Sequence, residues 1–287
     1  MMPETQKDAP GLYGTHFKDL LPFEKFEGPV SEYFQIVNDS SGKNIAILDA
    51  AGGNGKRYGN GLLYLAGKPE RSITYTVTDL MPDALEEFKK DVAPRLPEII
   101  SANTVQANLA KRWQFKDASF DASMMTWALH WFGRNHKHGI KELVRVMKPG
   151  AVGLLTTLTP YDVLLKNQIF PQSVPIEELR KLYPQADDIL EGVSSGNGSP
   201  IWKVRLDTEI SKKLKRNPDF VYIHKPSNSV LGKRTLVGFQ PDYLPRVLEE
   251  EGCEVLRRDN TKNTNFPNEY SSGPRENTLL YYVFKKR

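Results

Sequence analysis

Three short runs in this 287-residue chain combine residue types at spacings that suit chemistry. The first is Asp49-Ala50-Ala51-Gly52-Gly53-Asn54-Gly55. Its small residues let a ligand approach the backbone, and a helix starting beyond them leaves amide N–H groups free at its N-terminus. The second is Asp79, whose acceptor-only carboxylate can hold both hydroxyls of a ribose; the alternative is that it caps a helix beginning near Pro82. The third is Ala128-Leu129-His130-Trp131-Phe132. His130 is a candidate general base, and the aromatic faces of Trp127 and Trp131 suit a cationic ligand. A histidine there can equally serve only to bond backbone or to pack beside Trp131. Taken alone, the glycine run and Asp79 fit any Rossmann-type nucleotide site, and the glycine run also fits a plain tight β-α turn.

These residues need a scaffold, and the chain from Asn44 onward supplies one by alternating strand-like and helix-like segments, the pattern of a mostly parallel sheet. Ile45–Leu48 reads as the first strand and runs directly into the glycine turn. A helix is expected up to about Gly67. Ile73–Thr78 reads as the second strand, and Pro82 opens a helix with an apolar stripe of Leu85, Phe88 and Val92. A short strand is expected near Thr104–Ala107, a buried central strand at Phe120–Trp127, a helix over Ile140–Met147, the turn Lys148-Pro149-Gly150 and a strand at Val152–Leu158. Residues from about Pro160 to Gly238 break this rhythm, with one helix expected around Ile176–Tyr183 and a Gly/Ser break at Ser194–Gly198. An insertion of that length commonly serves as a lid or binding element. A last helix over Pro241–Glu251, stopped by Gly252, precedes strands at Cys253–Leu256 and Leu279–Phe284.

Composition narrows the class. Apolar content of 39%, charged content of 26% and a net charge of +4 are ordinary for a globular protein, and no run reaches the ~18 apolar residues of a membrane span. The polar start lacks a secretory or transit pattern, so a cytoplasmic location is expected. The single cysteine, Cys253, is expected to pack as a small hydrophobe at a helix end. His136 and His138 lie in a basic stretch without acidic or thiol neighbours, so no metal is expected there.

The order of motifs resembles the class I, seven-strand S-adenosylmethionine-dependent methyltransferases. Ile47–Gly55 is similar to their glycine motif, and Thr78-Asp79-Leu80-Met81 to the ribose-binding acid with an apolar adenine contact. Asn108-Leu109 falls where an acid-plus-apolar pair is common. Phe120-Asp121, Ala128–Trp131, Lys148-Pro149-Gly150 and Leu248–Val255 follow in family order. The resemblance covers most of Ile45–Leu158 and resumes from about Gln240, whereas the insertion resembles nothing nameable. Ala51 stands where the first glycine is usual, so its β-carbon is expected to be tolerated only at negative φ. Asn108 replaces the commoner acid, a change an amide can serve because it accepts as well as donates.

The resemblance implies a three-layer α/β/α Rossmann-like sandwich, with a seven-stranded, mostly parallel sheet whose last strand is antiparallel. It also implies a helical lid segment at 1–43, a cofactor domain at 44–159 and 239–287, and a substrate-covering insertion at 160–238. S-adenosylmethionine would be held by Asp49, Ala50, Ala51, Gly52, Gly53 and Gly55 at the methionyl end, by Asp79 at the ribose, and by Leu80, Met81, Asn108 and Leu109 at the adenine. Thr126, Trp127 and Trp131 would wall the sulfonium. His130 and His16 are the catalytic candidates, and Tyr13, Phe17 and His130 the acceptor-binding ones. A small-molecule methyl acceptor, no metal, no nucleic acid, and a monomer or homodimer are expected. The basic runs Lys212–Arg216 and Lys233-Arg234 motivate an alternative acceptor, protein or RNA. Two further readings are a nicotinamide-dependent oxidoreductase, against which Tyr58 stands at the third glycine position, and a cofactor-binding protein that transfers no methyl.

Overall fold

A computed structural model describes residues 29–55, 58–68, 70–158, 190–194, 200–204, 217, 219–224, 235–262 and 278–287. Tyr13, His16, Phe17, the helix expected at Ile176–Tyr183 and both basic runs lie outside the described residues.

The parallel strands inside the sheet are buried on both faces, as a sheet covered by helices on both sides requires, whereas the edge strand Ile100–Gln106 is half exposed. The parallel strands are β1 (Asn44–Ala50), β2 (Ser72–Asp79), β3 (Ile100–Gln106), β4 (Phe120–Thr126) and β5 (Met147–Leu158). With β10 (Cys253–Lys262) and β11 (Thr278–Lys286) they form one sheet in the order β10-β11-β5-β4-β1-β2-β3. All pairings from β5 to β3 are parallel, and β11 runs antiparallel to both β5 and β10. The Lys148-Pro149-Gly150 turn is absorbed into β5, because the register to β4 jumps from Phe120↔Met147 to Ala122↔Val152 and leaves those residues bulged.

Helices α1 (Pro29–Ser40), α2 (Gly59–Ala66) and α3 (Pro82–Glu87) supply one face. Their Tyr33, Phe34, Val37, Leu62, Leu65 and Leu85 pack with Ile45, Ile47 and Val77 of the sheet. α3 continues as a π turn at Phe88–Val92 and a 3-10 turn at Ala93–Arg95. α4 (His136–Val146) and α5 (Tyr243–Glu250) supply the opposite face through Ile140, Leu143, Leu244 and Leu248. α4 starts four residues earlier than the apolar pattern indicates, so His136 and His138 are helical.

Two hairpins lie in the part of the chain whose pattern gave no strand: β6 (Leu190–Ser194) with β7 (Pro200–Val204), and β8 (Phe220–His224) with β9 (Thr235–Phe239). Val237 and Phe239 are fully buried in the core on the α4/α5 face, so this end of the insertion is built into the domain. Cys253 opens β10 just beyond α5, fully buried, and burial pushes its thiol up to about 11. No helix among the described residues is long and apolar enough to cross a membrane.

Candidate functional site

β1 and β4 are neighbours, but the chain leaves β1 towards β2 and leaves β4 towards β5. Their C-terminal ends therefore border the topological switch point, where open α/β sheets bind ligands. Both exits are conformationally strained: Ala51 has φ +57° and Trp127 has φ +57°. The negative φ expected for Ala51 is therefore corrected. A non-glycine residue in this region costs about 1–2 kcal/mol and persists where its surroundings fix it.

Both residues are fixed by hydrogen bonds to the next strand over. Ala51 N–H donates to Thr78 Oγ1 at 3.2 Å and Gly52 N–H to the Thr78 carbonyl at 2.9 Å, which fastens the turn after β1 to the end of β2. Trp127 N–H is shared between the Thr156 carbonyl at 3.2 Å and Thr156 Oγ1 at 3.1 Å, which fastens the exit of β4 to β5.

Asp49, at the end of β1, is fully buried, and its Oδ2 accepts the Tyr75 hydroxyl at 2.6 Å. Burial first, and the Asp49 charge second, hold the Tyr75 phenol well above its ordinary value, so it stays a donor. A β-carbon on Gly52 would lie 2.5 Å from Asp49 Cγ, so the carboxylate sits directly beneath the glycine. Gly53, at φ +59°, turns its N–H onto Asp79 Oδ2 at 2.9 Å.

Asp79 is thus joined to the glycine turn. It is 4% exposed, and its Oδ1 accepts Met81 N–H at 2.9 Å. Met81, not Asp79, is the N-cap residue of α3, and no side chain caps that helix. Burial raises the Asp79 carboxyl from its ordinary value, and the N–H donors of Met81, Gly53 and Leu80 oppose the rise. Each carboxylate oxygen has more than one acceptor site, so capacity for a diol remains beside the backbone bonds.

The β2 and β3 ends are joined by Ala107 N–H to the Asp79 carbonyl at 2.9 Å and by Gln106 Nε2 to the Leu80 carbonyl at 3.2 Å. Leu80 is 46% exposed and Met81 partly buried. Asn108 is exposed, and its Oδ1 accepts Ala110 N–H at 3.1 Å within a local turn. Leu109 is buried in the core, and its carbonyl accepts Trp113 Nε1 at 2.9 Å.

At the exit of β4, Thr126, Trp127 and Ala128 are buried. His130 lies in the 3-10 segment Leu129–Asn135, 4% exposed, with its ring 5.1 Å from that of the partly buried Trp131. Strand β9 packs against this segment.

Sequence reasoning missed Tyr75, Thr78, Thr156 and His136. His136, 2% exposed, places Nδ1 2.8 Å from the Gly133 carbonyl and Nε2 2.8 Å from the Tyr243 hydroxyl. The rings of Phe220, Phe239 and Tyr243 surround it, so this histidine fastens the β8–β9 hairpin to the segment that carries His130. Only Tyr75 left a signal, a polar tip within an apolar strand. No group of three or more potential metal-ligating side chains is found among the described residues.

A family model described as "Methyltransferase domain" matches residues 49–155. No curated protein matches the chain. Among solved structures, a putative S-adenosylmethionine-dependent methyltransferase from Listeria monocytogenes is similar at TM-score 0.53 and 11% identity, covering 90% of this chain and 99% of that one. One from Mesorhizobium loti gives 0.51 and 12%, covering 88% and 96%, and one from Clostridium acetobutylicum gives 0.51 and 9%, covering 96% of each. At these identities the structures show a shared fold. The family match falls on the strands and turns that border the switch point, so it is residues 49–155 that are similar to a methyltransferase domain.

Proposed function

We propose that this protein transfers the methyl group of S-adenosylmethionine to a small-molecule acceptor bound beside the exit of β4. The observation that carries the reading is the pair of strained exits, Ala51 and Trp127, which follow the neighbouring strands β1 and β4 at the switch point. When bound, the cofactor supplies a methyl group already activated by its sulfonium, so the protein's work is alignment and exclusion of water. Asp79 accepts from the ribose hydroxyls, and Asp49 with the glycine turn serves the methionyl end. Leu80 and Met81 lie against the adenine. The faces of Trp127 and Trp131 suit the sulfonium charge.

A small acceptor is favoured by the build of this side. Strand β9 of the hairpin fastened through His136 packs on the segment bearing His130, with the rings of Phe220 and Phe239 against His136. His130 is the candidate base for the acceptor proton, His16 is the second catalytic candidate, and Tyr13 and Phe17 are proposed to bind the acceptor.

Calorimetric titration with S-adenosylmethionine, S-adenosylhomocysteine and NADH, repeated on Asp79→Ala, tests the cofactor assignment. Micromolar binding of both adenosyl ligands, weakened at least tenfold in the variant, is expected. Binding of NADH alone, or adenosyl affinity unchanged in Asp79→Ala, would overturn it.

A further inference from the structure

The segment that carries His130 joins α4 through a kink. Gly133, at φ +52° and ψ −121°, holds a backbone conformation that a residue with a β-carbon avoids, and α4 starts at His136. The Gly133 carbonyl accepts twice from His136, once from the backbone N–H and once from Nδ1 at 2.8 Å. A carbonyl can only accept, so Nδ1 carries the hydrogen of the neutral ring and Nε2 is bare. Nε2, 2.8 Å from the Tyr243 hydroxyl, therefore accepts from it, and His136 is the only partner of that hydroxyl among the described residues.

Elements from both sides meet on this one imidazole. The rings of Phe220 from β8 and Phe239 from β9 lie 4.9 and 5.2 Å from it, and Tyr243 of α5 stacks on Phe239 at 5.9 Å. Trp131 N–H donates to the Ala128 carbonyl at 2.8 Å, so His130 and Trp131 sit in a closed turn whose direction relative to α4 is set at Gly133.

The bonding scheme admits one protonation state. A protonated ring carries hydrogens on both nitrogens, so Nε2 would meet the Tyr243 hydroxyl donor to donor, and the phenol proton would have to turn into the surrounding rings. Burial holds that phenol well above its ordinary value, so it stays a proton donor. The charged and titratable groups around the cluster are Lys137 on α4, Arg134 in the kinked segment, Asp219 and Tyr222 at β8, and Arg246 and Glu250 on α5; β9 brings none. Asp219 is ion-paired with Arg246, and Lys137 Nζ lies 5.8 Å from the Tyr243 ring centre. Burial first holds the His136 imidazole below its ordinary value; the Gly133 carbonyl opposes this and Lys137 adds to it.

We propose that His136 is the positioning residue of the acceptor side: while neutral it locks the Gly133 kink, and with it His130 and Trp131, onto the β8–β9 hairpin, and on gaining a proton it lets segment and hairpin part. The parted state gives the imidazole to water, where it binds a proton at its ordinary value, so each pH unit below about 6.5 favours parting by up to about tenfold. That this motion opens the acceptor pocket rests on the function proposed above; the parting itself is read without any ligand, so either can fail alone.

Hydrogen exchange of the free protein, followed by mass spectrometry at about pH 7.5 and about pH 5 and corrected for intrinsic exchange, measures it. In the unsubstituted chain, protection of Leu129–Asn135 and Leu236–Phe239 is expected to fall about tenfold at the lower pH, while β1 stays unchanged. His136→Gln keeps an amide N–H for Gly133 and an oxygen for Tyr243 but takes up no proton, so it should protect both segments equally at either pH. Protection independent of pH in the unsubstituted chain, a fall shared by β1, or the same fall in His136→Gln would overturn the proposal and leave His136 a structural residue. Should His136→Gln fail to fold, the unsubstituted chain decides by itself, through whether its loss of protection is confined to the two segments.

Discussion

Gly52→Ala tests how tightly the glycine turn is fitted to the carboxylate beneath it. The added β-carbon would lie 2.5 Å from Asp49 Cγ and Oδ2 and 2.8 Å from Oδ1, well inside contact distance. Gly52 is not in the left-handed region, so the backbone itself accepts alanine, and the clash is the whole penalty. One of two adjustments must occur. Asp49 can swing away and lose the Tyr75 hydroxyl, a bond to a charged group worth about 1.5–3 kcal/mol. Alternatively the turn can lift and lose Gly52 N–H to Thr78, about 1 kcal/mol, with Ala51 N–H to Thr78 Oγ1 strained beside it. A destabilisation of about 2–3 kcal/mol is expected, which lowers the melting temperature by several degrees for a chain of this size. The assay is urea unfolding of Gly52→Ala, Asp49→Ala and the double variant. With Asp49 truncated the clash disappears, and the same substitution should be neutral or stabilise by up to about 1 kcal/mol through lost backbone entropy of the unfolded chain. A coupling of at least about 2 kcal/mol closes the cycle. Equal costs for Gly52→Ala in both backgrounds would refute the fitted-carboxylate argument.

Two further expectations concern the histidines. If His130 is the base, His130→Ala lowers turnover at least a hundredfold once an acceptor is found, with S-adenosylhomocysteine affinity near normal; unchanged turnover removes it from the mechanism. For His136, burial lowers the pKa of the folded state below the ordinary imidazole value, so between those two values the unfolded chain binds the extra proton. Stability should therefore rise with pH towards about 6.5 and fall below it, as read by urea midpoints from pH 5 to 7, and His136→Gln should flatten that slope. An identical slope in the variant would refute the assignment.

The parallel sheet was legible because strands buried on both faces keep long apolar runs, and five of its seven strands announced themselves that way at Ile45–Leu48, Ile73–Thr78, Phe120–Trp127, Val152–Leu158 and Leu279–Phe284. The β8–β9 hairpin was not, because Phe220-Val221-Tyr222-Ile223-His224 and Thr235–Phe239 are only five residues each and stand among Pro, Asn and Lys. Ala51 was misjudged for a related reason. Its φ is set by Thr78, which sits 27 residues away and donates no signal to the local pattern. His136 looked like part of a basic loop because the aromatic rings that enclose it come from β8, β9 and α5.

The bonds that sequence could not foresee share one design. The turn after β1 is held by Thr78 of β2 and by Asp79, the exit of β2 is held by Ala107 beyond β3, and the exit of β4 is held by Thr156 of β5. Each loop at the switch point is thus fixed by the strand next to its own. A loop held only by its own strand could relax, and Ala51 and Trp127 would then leave the left-handed region at a gain of about 1–2 kcal/mol each. Anchoring them to neighbouring strands ties that relaxation to breakage of the sheet's rim. The strain therefore persists in the free protein, and the ligand meets loops already in place rather than loops it must order.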